Sequence, residues 1–385
     1  MRQIKNIIPL LTLLLLMFAC IKPYNPLIES NAQHKYVVSG RVTDMEGWQE
    51  VNVSMSSPVE SPEYIPVSGC NVNILDDKGN VFPLPEDSPG KYRAWLGQEY
   101  LTKGTSYRVT VHTPENEIIE SAYDTLLQGA PLDSVYYVIE DVPTSNSSVY
   151  LRGMQFYVDL KAPDDACRNY RWEVIETWEF HAVHAVEYYY DGDFHQVNPP
   201  DSSNMVCWGG GLVKNVYTLS TKSLSENVFI KYPLHIIDGH SSRLGILYSI
   251  LVRQLALGTN AFNYWEQVRI NNTEQGGLYE QQPFAIKGNL TNITNPEKEV
   301  LGYFYAASES SRRYFYKEVE GIELDFSDYC NEDILGYGGW RKFTKYDYPV
   351  YYYFTEQGGL LILNNECVDC RLMGGSTVKP DFWPQ

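Results

Sequence analysis

Cys367 and Cys370 have the spacing of either a redox-active dithiol or half of a zinc site. A redox pair is expected at the start of a helix in a thioredoxin-like unit. Here an Asn-Asn pair precedes the cysteines and a Gly-Gly pair follows them, which is typical of a loop. Zinc would need a second close pair of ligands, and the sequence contains none. We therefore predict a structural role for both cysteines.

The histidines offer a weaker signal for metal binding. His181 and His184 would share a face only on a helix, and in a strand an odd separation places them on opposite faces. His195 does not complete a site, so we predict no metal. Asp191-Gly192-Asp193 lacks the longer ligand pattern of a calcium loop and is predicted to be a hairpin turn.

No catalytic constellation stands out in the sequence. Asp238, His240, Ser241 and Ser242 supply the residue types of a hydrolase triad, but adjacency in sequence is not triad geometry and a polar turn explains them better. The nucleophile motif Gly-x-Ser-x-Gly is absent. Carboxylates are plentiful, yet no pair is singled out for glycoside hydrolysis. We predict a chain that is not an enzyme and that needs no cofactor.

Tyrosine is unusually frequent, with 31 residues, and two runs are candidate contact surfaces. These aromatic runs are Tyr188, Tyr189, Tyr190 and Tyr351, Tyr352, Tyr353, the last followed by Phe354. On a strand, neighbouring rings point to opposite faces, so we expect at least one exposed ring in each run. Exposed tyrosines suit ligand or protein contact. The alternative is that the runs reflect strand propensity and cross-strand pairing.

The N-terminus indicates export. Arg2 and Lys5 precede the apolar run Ile7–Phe18, and the small Ala19 stands directly before Cys20. This order is that of a secretory signal, and the cysteine makes it resemble a bacterial lipoprotein signal in which Cys20 becomes the lipidated first residue. An ordinary cleaved signal with a chance cysteine is the alternative. The apolar run is too short to span a membrane.

Six cysteines remain after Cys20, an even number that indicates disulfides in an exported chain. We predict two disulfides in which Cys367 and Cys370 reach Cys207 and Cys330, in either order. Closing the long loop from Cys207 would contribute several kcal/mol in the chain-entropy model.

Cys70 and Cys167 are the remaining two cysteines. Cys70 lies at an inward strand position of the predicted N-terminal domain and is expected to be a buried free thiol, which leaves Cys167 unpaired. In the alternative, these two cysteines form a disulfide across domains.

The charge balance excludes some partners. The formal net charge of −18 becomes −20 when the two positive residues of the signal are removed. Such an acidic chain is not expected to bind nucleic acid or to dock on anionic lipid through a basic patch. The best later candidate for a membrane span, Leu244–Leu257, is short and contains Arg253 and Gln254.

The mature chain divides into a tether and two β-rich domains. We assign residues 1–19 to the signal, 20–34 to a polar tether and 35–128 to an Ig/prealbumin-like β-sandwich, which resembles carboxypeptidase-regulatory-like modules. The sandwich strands are predicted at Tyr36–Val42, Val51–Met55, Val72–Ile74, Gly90–Trp95, Tyr107–His112 and Glu117–Ser121.

Residues 129–385 are predicted to form a larger β-rich domain with one amphipathic helix at about 260–271. Phe262, Trp265 and Val268 recur every three residues, Thr259 or Asn260 can cap the helix, and Gly276-Gly277 ends it. Trp265 is expected to serve packing, with a ligand platform as the alternative. Strands are predicted at Val135–Glu140, Val149–Lys161, Asn169–Val186, Val228–Ile237 and Leu244–Leu257, and a loop-rich region at Asp191–Gly211.

An ordered set of motifs in this second half resembles a known family. The set contains Ala261-Phe262-Asn263-Tyr264-Trp265, Gly288-Asn289-Leu290, Val300-Leu301-Gly302-Tyr303-Phe304 and the final Lys379-Pro380-Asp381-Phe382-Trp383, together with Cys207-Trp208. It is similar to the Bacteroidetes outer-membrane lipoproteins grouped as domain-of-unknown-function family 4249. The resemblance implies an accessory role beside a TonB-dependent outer-membrane receptor, and it names no substrate.

We therefore predict a non-catalytic lipoprotein, lipid-anchored to the outer membrane, that helps a TonB-dependent receptor to capture or take up a ligand. The leaflet that it faces, cell surface or periplasm, stays open. A surface hydrolase on a β-sandwich frame and a structural or adhesive surface lipoprotein are the alternatives.

Overall fold

The computed structural model describes residues 34–58, 62–143, 150–273, 286–324, 329–336 and 338–384. These residues form mainly β-structure with one α-helix, which confirms the predicted fold class. The predicted signal peptide, the lipidation site Cys20, the tether up to residue 33 and the glycines expected to end the helix lie outside the described residues. Among the residues that are described, no helix has the length and apolar character needed to cross a membrane.

The strands alternate between buried and exposed positions along most of the chain, which is the pattern of sheets with one covered face. In chain order they are β1 (Tyr36–Thr43), β2 (Gly47–Met55), β3 (Ile65–Pro66), β4 (Asn71–Asp76), β5 (Val81–Leu84), β6 (Glu86–Ser88), β7 (Lys91–Leu96), β8 (Ser106–His112), β9 (Ile118–Ser121), β10 (Asp124–Thr125), β11 (Ser134–Pro143), β12 (Tyr150–Lys161), β13 (Asn169–His181), β14 (Val186–Tyr190), β15 (Phe194–Asp201), β16 (Val206–Leu212), β17 (Tyr217–Ser220), β18 (Val228–Asp238), β19 (Leu247–Leu257), β20 (Leu290–Asn292), β21 (Phe304–Tyr316), β22 (Glu332–Ile334), β23 (Val350–Phe354) and β24 (Leu360–Leu363).

The helix α1 spans Thr259–Thr273, within two residues of the predicted bounds. It contacts β13 and β17, as expected for a helix lying on a sheet. Short 3-10 helices lie at Gln98–Tyr100, Ser242–Leu244, Gly339–Lys342, Asn365–Cys367 and Cys370–Met373.

A ten-stranded sheet connects the two halves of the chain. Its order is β16-β13-β19-β21-β1-β2-β7-β6, with β17 paired to β13 and β3 paired to β2. β1 and β21 are parallel, and Arg41 lies opposite Tyr305 in their register. The sheet therefore continues without a break across the boundary predicted at residue 128.

Two smaller sheets cover the inner face of the ten-stranded sheet, and each encloses one hydrophobic core. The six-stranded sheet β20-β9-β8-β4-β5, with β10 paired to β8, packs against β1, β2 and β7. The three-stranded sheet β11-β12-β18 packs against β13 and β19. The first core includes Leu290, Val300 and Phe304, so residues beyond 128 complete the sandwich that begins the chain.

The region Asp191–Gly211, predicted to be rich in loops, instead contains β15 and most of β16. Both are edge strands, in the five-stranded sheet β15-β14-β23-β24-β22 and in the ten-stranded sheet respectively. An edge strand tolerates Pro199-Pro200 and a glycine run, because one side of its backbone needs no partner. The turn at Asp191–Asp193 between β14 and β15 is as predicted.

The two disulfides predicted from the sequence are present, and the structure gives their order. Cys207 is bonded to Cys370, and Cys330 to Cys367. Cys70 and Cys167 are both free, so the alternative in which they form a disulfide is wrong. Cys70 lies one residue before β4 and is only half-buried, because the strand begins at the next residue, whereas Cys167 is buried.

Candidate ligand cavity

A cavity of about 690 Å³ opens on the outer face of the ten-stranded sheet. It is lined by β1, β2, β13, β19 and β21, by Trp265 of α1 and by the turn between β1 and β2. Seven charged residues line it. Five of them lie on four of these strands, and we call the space the arginine cavity after this group: Arg41, Arg171, Glu173, Arg253 and Glu309. Its volume lies in the range of small-molecule sites, roughly 300–1,000 Å³.

The alternation of β13 explains why charges line this face. Tyr170, Trp172 and Val174 point inward and belong to the core beneath the three-stranded sheet. Arg171 and Glu173 are therefore on the opposite, outer face, because successive side chains of a strand alternate. The strand carries an apolar face and an ionic face, and the ionic face lines the cavity.

Glu173 is the centre of the charge network. It accepts hydrogen bonds from both terminal nitrogens of Arg41, at 2.6 and 3.0 Å, and Arg171 Nη1 lies 2.9 Å from its Oε1. Burial acts to raise the pKa of Glu173, but the guanidinium groups of Arg41 and Arg171 outweigh it and hold the pKa below its usual range. Glu173 is thus an ionised anchor that fixes two arginines.

Arg253 lies opposite Glu173 in the register of β13 and β19 and is the least committed cation of the cavity. Its nearest carboxylate oxygens belong to Glu309, at 3.5 Å, and Glu173, at 3.9 Å. Burial raises the pKa of Glu309, although Arg253 opposes the shift. The five charged residues of β1, β13, β19 and β21 are thus three arginines and two glutamates, and Glu46 and Glu50 add two further carboxylates to the lining.

Arg171 is buried with its guanidinium carbon 3.6 Å from the centre of the Trp265 ring. Its Nη1 also donates to the Tyr305 hydroxyl at 3.0 Å. The Nε of Arg171 and the indole N–H of Trp265 are buried donors without an acceptor among the described residues. Such donors are uncommon because each costs about 1–3 kcal/mol. The wall of the cavity therefore contains two unpaired donors, and Trp265, predicted to serve packing, also borders the space.

The turn between β1 and β2, together with the first residues of β2, adds both acidic and aromatic groups to the opening. Glu46 and Glu50 line the cavity there, and so does Trp48, which is exposed and in edge contact with Trp95. Arg93 lies 4.7 Å from the Trp48 ring centre. The opening thus offers an aromatic ring face beside the charged interior, an arrangement that suits the body of a small organic ligand.

Comparison with known proteins places this chain in a family. The model of the domain of unknown function DUF4249 matches residues 21–313. The chain belongs to the DUF4249 family. No curated protein matches the sequence. All seven charged residues that line the arginine cavity lie inside the DUF4249 match, whereas β22, β23, β24 and the final sequence motif lie beyond it.

The aromatic runs of this DUF4249 protein pair with each other. Tyr188 of β14 lies opposite Tyr352 of β23, and their rings stack with centres 5.4 Å apart. Phe194 and Trp340 pack edge-on against Tyr352. The prediction of an exposed ring is wrong for the first run, where all three tyrosines are half-buried, and in the second run the exposed ring is Phe354. Cross-strand pairing explains the runs, and a contact role for the six tyrosines stays a prediction.

The histidine and cysteine residues of the sequence analysis do meet at one place. His184, Cys330 and Glu332 have ligand atoms within 4.8 Å of one another. Cys330 is bonded to Cys367, however, and a disulfide sulfur is not the thiolate that zinc binds. His184 Nε2 instead contacts a Glu332 carboxylate oxygen at 2.8 Å, and the same carboxylate accepts from Tyr353. His181 contacts Glu179 and His195 contacts Asp191.

The triad-like residues form a turn. The backbone N–H of His240 donates to the Asp238 carboxylate at 2.9 Å. The Ser241 hydroxyl caps the 3-10 helix Ser242–Leu244 by accepting from the backbone N–H of Arg243. Both contacts use backbone groups, as expected for a polar turn rather than for a nucleophile and its base.

Sequence reasoning did not identify the arginine cavity. The available signal was charge inside apolar strands: Arg171 and Glu173 flank Trp172, and Arg253 interrupts Leu244–Leu257. A charged residue at alternate positions of a strand with a buried opposite face indicates an ionic outer face. To predict that distant strands meet at one cavity, however, one must know the order in which the strands pair. The local sequence pattern does not contain that order.

Proposed function

We propose that this DUF4249 protein is a non-catalytic lipoprotein that is anchored to the outer membrane through Cys20 and binds a ligand in the arginine cavity on behalf of a TonB-dependent receptor. The observation that carries the ligand-binding part is the arginine cavity itself, where charged groups from four strands, with Arg171 and Glu173 buried among them, border one open space. Buried charges are costly, and their presence beside an open cavity is typical of functional sites. The anchor and the receptor are supported by the N-terminal sequence and by the family resemblance.

The experiment uses the tagged full-length chain, extracted from envelopes in mild detergent. Mass spectrometry identifies proteins that co-purify and small molecules released on denaturation. Leu212 borders the cavity and is 56% exposed, so Leu212→Trp fills part of the space with little cost to folding. Val81→Trp is the matched control, since Val81 is 57% exposed and does not border the cavity.

We expect a β-barrel receptor to co-purify in near-equal amount with all three forms. The released small molecule should be present with the wild type and Val81→Trp and depleted with Leu212→Trp. A chain that purifies without a receptor and without a small molecule would contradict the proposal. Release of product from a panel of glycans or peptides would instead favour the hydrolase alternative.

A further inference from the structure

We propose that the ligand of the arginine cavity is a small organic anion and that the guanidinium of Arg253 receives its carboxylate or phosphate group. This inference rests on the proposed function, because it assumes that the arginine cavity is the ligand site.

Arg253 has donors available for such a group. No hydrogen bond joins its side chain to any residue within the described part of the chain, and its closest carboxylate contact, to Glu309, is 3.5 Å long. The side chain is 33% exposed and borders the cavity. A guanidinium carries five N–H donors in a fork that matches an oxyanion. Arg253 can therefore bind an oxyanion without breaking an existing hydrogen bond.

The other two arginines of the cavity are already committed. Arg41 uses both terminal nitrogens on Glu173, and Arg171 shares Nη1 between Glu173 and Tyr305. Their contribution to an incoming anion is mainly electrostatic, since these terminal nitrogens are occupied and the unpaired Nε of Arg171 is buried. They also neutralise Glu173, so the carboxylate closest to Arg41 and Arg171 does not repel a ligand.

The cavity as a whole is lined by three arginines and four glutamates, so the attraction of an anion is local to the Arg253 guanidinium. The guanidinium of Arg313, which lies on β21, is close enough that Arg253 and burial together lower its pKa. The carboxylates nearest to Arg253 are those of Glu309 and Glu173, and Glu173 is already paired with Arg41 and Arg171. Glu50 is a half-buried residue of β2 opposite Arg41, and its carboxylate accepts a hydrogen bond from Asn52. Glu46, in the turn, is exposed and is screened by solvent.

The ligand body would meet apolar groups at the opening. Trp48 and Leu212 border the cavity and are both more than half exposed. A carboxylate or phosphate on a compact body with an apolar face would bind to Arg253 and cover these two side chains. The chemical class is therefore an organic anion rather than a bare inorganic ion.

The test uses calorimetric titration of the full-length chain in detergent at constant ionic strength. The probes are benzoate and phenyl phosphate, with benzyl alcohol as the neutral counterpart, and glucuronate with glucose as the neutral counterpart. Arg253→Gln removes the proposed contact, and Arg253→Lys keeps the charge but loses the fork. Arg312→Gln is the control, because Arg312 is an exposed arginine of β21 that does not border the cavity.

We expect at least one anion to bind the wild type tenfold more tightly than its neutral counterpart. Arg253→Gln should weaken that binding at least tenfold, Arg253→Lys less, and Arg312→Gln less than twofold. The melting temperature of Arg253→Gln should stay within a few degrees of the wild type, which shows that the variant folds. Comparison of benzoate with phenyl phosphate decides between carboxylate and phosphate.

Equal binding of anions and neutral counterparts, unchanged binding by Arg253→Gln, or no binding of any anion would overturn the inference. Each of these results leaves the proposed function standing if the receptor and a released molecule still co-purify with the wild type. Loss of both from the purified wild type would instead count against the proposed function.

Discussion

Arg41 and Glu173 form a two-point ion pair, at 2.6 and 3.0 Å, between residues 132 positions apart in sequence. Arg41 lies on β1 and Glu173 on β13, with β19 and β21 between them in the sheet. The pair therefore bridges two strands of the ten-stranded sheet and joins its two halves on the outer face. This position gives the network of the arginine cavity a structural role beside the role in binding that we propose for it.

Glu173→Gln should destabilise the fold by about 3–5 kcal/mol, because it leaves Arg41 and Arg171 partly or fully buried without their counter-ion. Urea unfolding of the full-length chain measures the loss. Asp87→Asn is the control, since Asp87 pairs with Arg93 where both side chains are more than one-third exposed, and should cost about 1 kcal/mol or less. Similar losses in the two variants would show that the buried network is not important for stability.

Asp124 should make stability depend on pH. Burial raises the pKa of Asp124 from 3.8 to about 6. Between these values the folded state binds more protons than the unfolded state, so this group's stabilising contribution is complete below about pH 4 and is lost as the pH rises through about 6. Because one pKa unit corresponds to about 1.4 kcal/mol, the loss is about 3 kcal/mol.

Asp124→Asn tests that dependence, because the amide keeps an acceptor for the backbone N–H of Ala306 and does not titrate. Urea unfolding at a series of pH values from 4 to 7 should show a flatter profile for the variant than for the wild type. Asp133→Asn, at a partly exposed carboxylate, should leave the profile as it is in the wild type. A wild-type profile that coincides with that of Asp124→Asn would refute the assignment.

The two disulfides should differ in their contribution to stability. Cys207 and Cys370 are 163 positions apart, whereas Cys330 and Cys367 are 37 apart. The chain-entropy model gives about 5 kcal/mol for the longer loop and about 4 kcal/mol for the shorter one. Paired serine substitutions, compared by urea unfolding, should reproduce this order, and a larger loss from the shorter loop would be inconsistent with the entropic explanation.

Cys20→Ser should abolish labelling by palmitate and release the protein from sedimented envelopes, because a lipid anchor requires the thiol of that cysteine. Metabolic labelling and fractionation of cells measure both effects. Cys70→Ser, which changes a half-buried cysteine of the folded body, should keep the label and the membrane association. Unchanged labelling in Cys20→Ser would refute the anchor.

Strand patterns in the sequence were sufficient for the fold class and for eleven of the twenty-four described strands, without β21. Tyr36–Val42 and Val228–Ile237 each match an observed strand to within one residue at either end. In Tyr36–Val42 the buried Tyr36, Val38 and Val42 occupy every second position or a multiple of it, which reflects one covered face. The pattern failed at β15 and β16, where proline and glycine are typical of loops. Their position at sheet edges allows such residues, and sheet order is not visible in local sequence.

Prediction of the candidate site would have needed the tertiary structure, because the local sequence does not show which strands are neighbours. The four disulfide cysteines could be predicted because the number and spacing of cysteines can be read directly from the sequence. Which cysteine pairs with which could not be predicted in this way. Arg41, Glu173 and Arg253 are brought together by pairing of β1 with β21 and of β19 with its two neighbours. Their charges could be recognised as unusual for buried strands, but their convergence follows only from the tertiary structure.

The parallel pairing of β1 with β21 has a consequence for how the chain folds. Gly40 lies opposite Phe304 in this pairing. When the chain leaves the ribosome or an export channel, β1 therefore emerges first, and more than two-thirds of the chain must follow before β21 is available to pair with it. Contacts between residues so far apart in sequence slow folding, and until they form the unpaired edge of β1 can pair with other chains. A fragment that ends at residue 128 is thus expected to be recovered as aggregate, and the intact protein to need protection by chaperones until its last third has emerged.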